Sequence, residues 1–512
     1  MLSSFNYFNP DFYTHNSTFM SKIKTDKRFY CFVLITGFLI LSCNSLYGEM
    51  KEHGRLHVSD KNPHNLEYSD GTPFFWMGDT GWELFLRLNR EDAAWYIDKR
   101  KEQYFNVIQC VLLSEFEGIK IPNQYGSYPF IDGDTERPAI TPGKNVADKK
   151  EYDYWDHVDY VVNYAEKQGM YLAILPCWGE YVIPREGRLL FKTKQQAYDY
   201  GWFLGNRYKK NLNIIWMLGG DRHPDERIDG VDMWRAMAKG IADGTNGQKN
   251  FNGKTDYSTT LMTHHSFNSS SKWFHSDDWI DFDTWGSYHS DYYSAGSYQK
   301  AISDWNLPHP KPTLNSEAAY EMHPVNWLQD NGFFTAYDIR DIAYWSVFAG
   351  ACGHTYGNNC VWQFYDEKRE PLMQATVNWK TAVSSEGAEQ MKYLRKLMES
   401  RPMNELIPDN SMIAVKITED ANHIQTIHSK NYAYIYIPTG YGPKIKLGIL
   451  SGATLKASWF NPRNGVITPI GEFENKGEKS FEVPGMSKDL GWLRSGRGCD
   501  WVLILEDSTA KF

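Results

Sequence analysis

Six carboxylates stand at the ends of apolar runs, where a strand would hand the chain to a loop: Asp79, Glu115, Glu117, Glu180, Asp221 and Glu317. Cleaving a glycosidic bond takes two such groups flanking one acetal, an acid/base and a nucleophile or water-activating base. Asp221 closes the run IIWMLGGD and Glu317 closes KPTLNSE. On opposite sides of a barrel mouth these two carboxyls would face each other over a sugar. Gly219-Gly220 lets the backbone come close, which suits an Asp one methylene shorter than Glu. A resting proton donor needs a raised pKa, from burial or from the neighbouring Glu317 charge. Arg222 would oppose that by pairing with Asp221, so it is expected to point elsewhere, toward another carboxylate or a substrate acid.

The residues around these ends are mostly aromatic. Trp82, Trp178, Trp285, Tyr288, Tyr356 and Trp362 either fill the core or stack on a sugar ring. Tyr288 is placed where its phenol could hydrogen-bond the nucleophile. In His264-His265 the two side chains point to opposite faces of a strand and form no His-x-x-x-His pair. Substrate hydrogen bonding is therefore preferred to metal binding, and no metal or cofactor is expected. Beyond the acid pair, the expected substrate-binding set is Asp79, Trp82, Glu115, Trp178, Glu180, Arg222, His264, Trp285, Tyr288, His289 and Tyr356. Arg185, Arg188 and Lys192 form a local basic cluster that either contacts anionic sugars or is a solvated loop face.

The elements that must position these groups alternate as β then α. Apolar runs at 74–78, 106–113, 171–175, 213–218, 261–263, 282–286, 312–315 and 353–356 are each followed by a polar or aromatic cluster. Most then lead into a helical segment, the last at 388–399. Eight such units without a Gly-rich phosphate loop predict an α/β fold, a (β/α)8 TIM barrel over residues 55–402. From 403 to 512 short strands alternate with turns (412–415, 432–437, 455–460, 501–505). They predict a small antiparallel β-sandwich.

The chain has 512 residues, with 19 Trp, 33 Tyr and 27 Phe, and a net charge of −9. This composition excludes a disordered chain and a polytopic membrane protein, and the charge argues against a nucleic-acid partner. A basic segment from Lys22 to Arg28 precedes the apolar run Phe29–Leu41, which is too short to span a membrane. Residues 1–42 are expected to be a signal peptide, with Met20 as an alternative start. Ile40-Leu41-Ser42-Cys43 resembles a bacterial lipobox. Cys43 is then the lipidated N-terminus, residues 43–54 a linker, and the protein an exported lipoprotein of the periplasm or outer membrane whose only membrane contact is that anchor. The remaining Cys110, Cys177, Cys352, Cys360 and Cys499 lack a Cys-x-x-Cys pair. A Cys352–Cys360 bridge stays open, and buried thiols are the plainer expectation.

The blocks FFWMGDTGWELFLRLNRED (74–92), FNVIQCVLL (105–113), IIWMLGGDR (214–222), KPTLNSEAAYE (311–321) and AYWSVFAGACGHTYGNN (343–359) resemble the apiosidase-like proteins of glycoside hydrolase family 140. SWFNPRNG (458–465) and the terminal DWVLILED resemble the partner domain named for collagen binding. The resemblance implies a barrel with a C-terminal β-sandwich, acting on apiosidic linkages in rhamnogalacturonan II side chains of plant pectin. It also implies an Asp acid/base and a Glu nucleophile, which map onto Asp221 and Glu317. The chain departs from the family pattern at His264-His265, at 285–289 and at Ser316, all around the substrate. A second glycosidase specificity, such as arabinofuranosides, thus stays open. So do a non-catalytic glycan-binding lipoprotein and a matrix-binding adhesin.

Overall fold

The computed structural model describes residues 53–512 except 117, 186–187, 291–295, 416–420 and 486–496. The export segment, Cys43 and Glu117 lie outside the described residues. Eight parallel strands form the central sheet: β1 (Trp76–Thr80), β2 (Val107–Val111), β3 (Tyr171–Leu175), β4 (Ile214–Gly219), β5 (Met262–His265), β6 (Asp283–Gly286), β7 (Thr313–Glu317) and β8 (Gly353–Tyr356). Their hydrogen-bonded order is β5-β4-β3-β2-β1-β8-β7-β6. The seam between β5 and β6 is bridged by Asp281 N donating to Met262 O at 2.9 Å. Two threonine hydroxyls complete it, Thr263 to Phe282 O and Thr284 to His264 O, both at 2.6 Å. The expected TIM barrel is thus present.

Among the described residues, seven helices of ten residues or more flank it: α1 (Arg90–Glu102), α2 (Tyr154–Gln168), α3 (Lys194–Tyr208), α4 (Gly230–Thr245), α5 (Gly296–Trp305), α6 (Ala336–Phe348) and α7 (Glu386–Glu399). Local chemistry sets their ends. Asn89 caps α1 by accepting from Asp92 N, and Asp153 forms a capping box with Asp156 before α2, which stops at Gly169 in the left-handed conformation. Between β5 and β6 a single turn, Ser271–Phe274, replaces a full helix. The first strand begins two residues later than its apolar run, because Pro73–Phe74 pair antiparallel with Leu66–Tyr68 in a small three-stranded sheet.

The C-terminal region contains β9 (Ile407–Pro408), β10 (Gln425–His428), β11 (Tyr432–Ile437), β12 (Lys444–Lys446), β13 (Thr454–Phe460), β14 (Ile467–Glu474), β15 (Glu478–Ser480) and β16 (Trp501–Asp507). Six of them make one antiparallel sheet, in the order β9-β10-β11-β16-β13-β14, and β12 pairs with β15. The period of two in Tyr432-Ala433-Tyr434-Ile435-Tyr436-Ile437 gives β11 two apolar faces. Ala433, Ile435 and Ile437 join Ile445, Leu503 and Leu505 in a local core. On the other face Tyr434 and Tyr436 stack on Phe348 and Tyr344 of α6 at 5.9 and 5.0 Å, which fixes the sheet to the barrel. The expected strand at 412–415 is a correction. Asp409 caps a 3-10 turn at Asn410–Met412, leaving only an isolated bridge from Ile413 to Ile445. Cys352 and Cys360 are buried free thiols, so that bridge is not formed. Among the described residues no helix is long and apolar enough to cross a membrane.

Candidate active site

The two carboxylates chosen from the sequence meet at the C-terminal mouth of the barrel. At the end of β4, Gly219 and Gly220 have φ of 100° and 139°, a turn that side chains with a Cβ resist. A Cβ on Gly219 would stand 1.9 Å from His265 O, and one on Gly220 would stand 2.4 Å from Gly179 N. This close passage swings Asp221 over the mouth. Across it, β7 carries a bulge: Asn315 pairs with Trp285 but Glu317 with Gly286. The extra residue re-aims Glu317 into the cleft. Its backbone oxygen accepts from Ser287 N and Tyr288 N at 3.0 and 3.2 Å. A polar relay through the barrel holds the preceding peptide. Trp76 Nε1 donates to Thr355 Oγ1, that hydroxyl to Gln109 Oε1, and Gln109 Nε2 to Ser316 O, at 3.0, 3.2 and 2.8 Å.

Two imidazoles surround Glu317. His265 Nε2 lies 3.0 Å from Oε2, and 3.6 Å from Asp221 Oδ1; His289 Nε2 lies 3.4 Å from Oε1. Backbone partners orient both rings. Tyr320 N donates to His289 Nδ1 at 3.2 Å, leaving the ring proton on Nε2, facing Glu317. Ser316 Oγ donates to Trp285 O at 3.3 Å, so it accepts from His265 Nδ1 at 3.1 Å. Burial alone would raise the Glu317 pKa, but the His265 and His289 imidazoles outweigh it and hold the carboxyl at about 2. Burial, then the Glu317 charge, push Asp221 upward, with His265 partly opposing them. Burial would lower His265, yet its two carboxylate neighbours hold it near 9. One carboxyl is thus kept ionised and the other is biased toward its protonated form, the division that acid-assisted displacement at an acetal carbon requires.

The other expected residues divide by location. Trp82 and Trp178 pack edge to face at 5.3 Å, with His265 5.5 and 5.9 Å away, so both border the acid pair. Glu115 lies within reach of the charges of both Asp221 and Glu180. Burial, then the charges of Asp221 and Glu180, drive Glu115 well above the usual carboxylate range. Arg188 is bound to Glu180 at 2.7 Å, which gives this loop cation a carboxylate partner inside the protein. Arg222 turns to Glu226, away from Asp221. Tyr288 borders the site, but its hydroxyl donates to Ser266 O at 2.9 Å and not to the nucleophile.

Four assignments are corrected by burial. Asp79 is fully enclosed and bound by Arg100 Nε at 2.6 Å and by Tyr96, so its charge is consumed inside the protein. Trp285 is fully buried and donates to Thr313 Oγ1 at 2.9 Å. Tyr356 donates to Glu321 Oε2 at 2.6 Å beneath the site. His264 points outward between Trp234 and Phe274, and this apolar setting lowers its pKa to about 3; His265 faces the acids instead. Strand alternation contained that choice, since Thr263 and His265 share the face opposite His264. Tyr320 was missed. Its hydroxyl accepts from Trp82 Nε1 at 3.0 Å and faces Glu317, so burial and the Glu317 charge raise the phenol well above its ordinary value. Its signal was its place three residues after the nucleophile candidate, within SEAAYE.

Residues 60–405 match the family described as "Apiosidase-like, catalytic domain", and residues 407–506 match "Putative collagen-binding domain of a collagenase". Among solved structures, one titled "Glycoside hydrolase" is 32% identical with a TM-score of 0.78, covering 90% of this chain and 98% of that one. A glycoside hydrolase family 5 protein from Bacteroides vulgatus is 31% identical at the same TM-score, covering 90% and 94%. A third, from the same organism, is 15% identical at a TM-score of 0.61 and shares the fold. No protein of curated function matches the sequence. The barrel, its paired carboxylates and these matches together establish a glycosidase, and the chain belongs to the apiosidase-like glycoside hydrolase family.

Proposed function

We propose that the protein removes apiosyl residues from rhamnogalacturonan II side chains of plant pectin by a retaining mechanism. The observation that carries the stereochemistry is the separation of the acid pair: an oxygen of Asp221 and an oxygen of Glu317 lie within 4.8 Å of each other. Retaining enzymes hold their carboxyl groups about 5–5.5 Å apart, and inverting ones roughly 6.5–9.5 Å, leaving room for a water. In this reading Glu317 attacks the anomeric carbon while Asp221 protonates the departing oxygen. A glycosyl ester forms on Glu317, and Asp221 then takes a proton from the water that cleaves it. His265 and His289 keep Glu317 ionised, and Trp82 with Trp178 offers an apolar wall to the sugar.

The apiose assignment rests on the family description over residues 60–405. Its test is incubation of wild type, Asp221→Ala and Glu317→Ala with apiose-bearing pectic oligosaccharides. Wild type alone should release apiose, and equal release by all three would end the proposal. Release of arabinose from arabinofuranosides in place of apiose would move the specificity while leaving the chemistry. We further propose that the chain is exported and lipid-anchored through Cys43. Radiolabelled palmitate should mark the wild type and not Cys43→Ser.

A further inference from the structure

The same three side chains that would perform hydrolysis have a second capacity. Asp221, His265 and Glu317 each offer one ligand atom, and these atoms lie within 4.8 Å of one another. Asp221 Oδ1, His265 Nε2 and Glu317 Oε2 are buried and, among the described residues, make no aligned hydrogen bond, although the imidazole is ion-paired with Glu317. His265 Nε2 is close to both oxygens, at 3.0 and 3.6 Å, but aligned as a hydrogen bond with neither. At neutral pH the His265 imidazolium itself is the cation between the two carboxylates, and a metal ion that binds there takes the place of the Nε2 proton, which is released.

We propose that this triad binds a zinc-class divalent ion, and that the bound ion blocks hydrolysis. Zinc bonds to His and carboxylate ligands at about 2.0–2.2 Å, which places tetrahedral ligands roughly 3.4 Å apart. The two separations from His265 bracket that value. The outer shell is also suitable: His265 Nδ1 is bound to Ser316 Oγ at 3.1 Å, and Ser316 to Trp285 O, so the ring is fixed with Nε2 inward. Asp221 has Oδ1 buried against His265 while its side chain as a whole is 38% accessible, so it can close on the ion. The ion would occupy the nucleophile and the acid together, so it acts as an inhibitor and not as a cofactor. A hard ion such as Mg2+, which prefers an octahedral shell of oxygens, is not matched by this set.

Calorimetry on the chelator-treated full chain, without substrate, reads the site independently of which glycoside is cleaved. Zn2+ should bind one ion per chain in the micromolar range, with turnover lost at the same concentration and restored by a chelator, whereas millimolar Mg2+ should do neither. His265→Gln should weaken binding at least 100-fold, and Ser316→Ala, acting through the ring's orientation, by 10-fold or more. Circular dichroism of each variant checks that the fold is intact. A second candidate, His57 with Asp60 and Glu67, supplies the control. Zinc binding that survives His265→Gln and disappears in His57→Gln overturns the proposal, as does absence of zinc binding in the wild type.

Discussion

Gly220→Ala perturbs the acid without touching its carboxyl. The added methyl would lie 2.4 Å from Gly179 N and 3.0 Å from Trp178 Cδ2, whereas relaxed contacts need about 3.5 Å. The backbone must therefore give by about 1 Å, and the next residue is Asp221. At φ of 139° a residue with a Cβ also carries strain on the order of 1–3 kcal/mol. A shift of about 1 Å in a reacting group costs roughly 100-fold in rate, or about 2.7 kcal/mol. Because the displaced group is the proton donor, the loss should depend on the leaving group. We expect kcat/KM to fall about 100-fold on alkyl glycosides and much less on nitrophenyl glycosides, which need little protonation. Parallel thermal melts report the strain separately. An equal loss on both substrate types, with the fold intact, would refute the assignment of Asp221 as the acid.

Five further outcomes are expected. With Glu317 held near 2 and Asp221 raised, kcat/KM should stay on a plateau through mildly acidic pH and fall as pH rises and Asp221 loses its proton. His265→Gln removes a cation that lowers both carboxyls, so both limbs of that profile should move to higher pH. His265 contributes stability that is fully present below its ordinary 6.5 and lost as pH rises through about 9, so the melting-temperature deficit of His265→Gln should shrink above pH 9. Arg100→Met leaves Asp79 buried without its cation and should cost about 3–5 kcal/mol in denaturant unfolding, while the folded fraction keeps its kcat/KM because Asp79 lies off the cleft. Tyr320→Phe removes the acceptor of Trp82 Nε1 and the hydroxyl facing Glu317. Steady-state kinetics should show kcat reduced about 10- to 100-fold with little change in melting temperature.

The barrel was legible because periodicity and capping are local. Asn89 stands where it caps α1, and the runs at 171–175, 353–356 and 432–437 are strands with those same ends. Gly219-Gly220 and the run into Glu317 pointed to the acid pair for the same reason, since strand ends in a barrel converge. What failed depends on contacts distant in sequence. Asp79 has the type and position of a site residue, and only Arg100, folded beneath it, shows that it is structural. Tyr288 was expected on the nucleophile, but its hydroxyl is taken by Ser266 O, and the phenol near Glu317 is that of Tyr320 from another loop. The choice of His264 over His265 turned on the phase of one strand. A shift of one residue exchanges the face toward helix α4 for the face toward the acids.

The most direct measurement is azide rescue with an activated aryl glycoside. Asp221→Ala should accumulate a glycosyl ester on Glu317, and azide should release it as a glycosyl azide of retained configuration, with a rate that rises with azide. Glu317→Ala should yield either no product or an azide of inverted configuration, formed by direct attack. A retained azide from Glu317→Ala, or no ester on Glu317 by peptide mass mapping of stalled Asp221→Ala, would contradict the double-displacement role given to this pair.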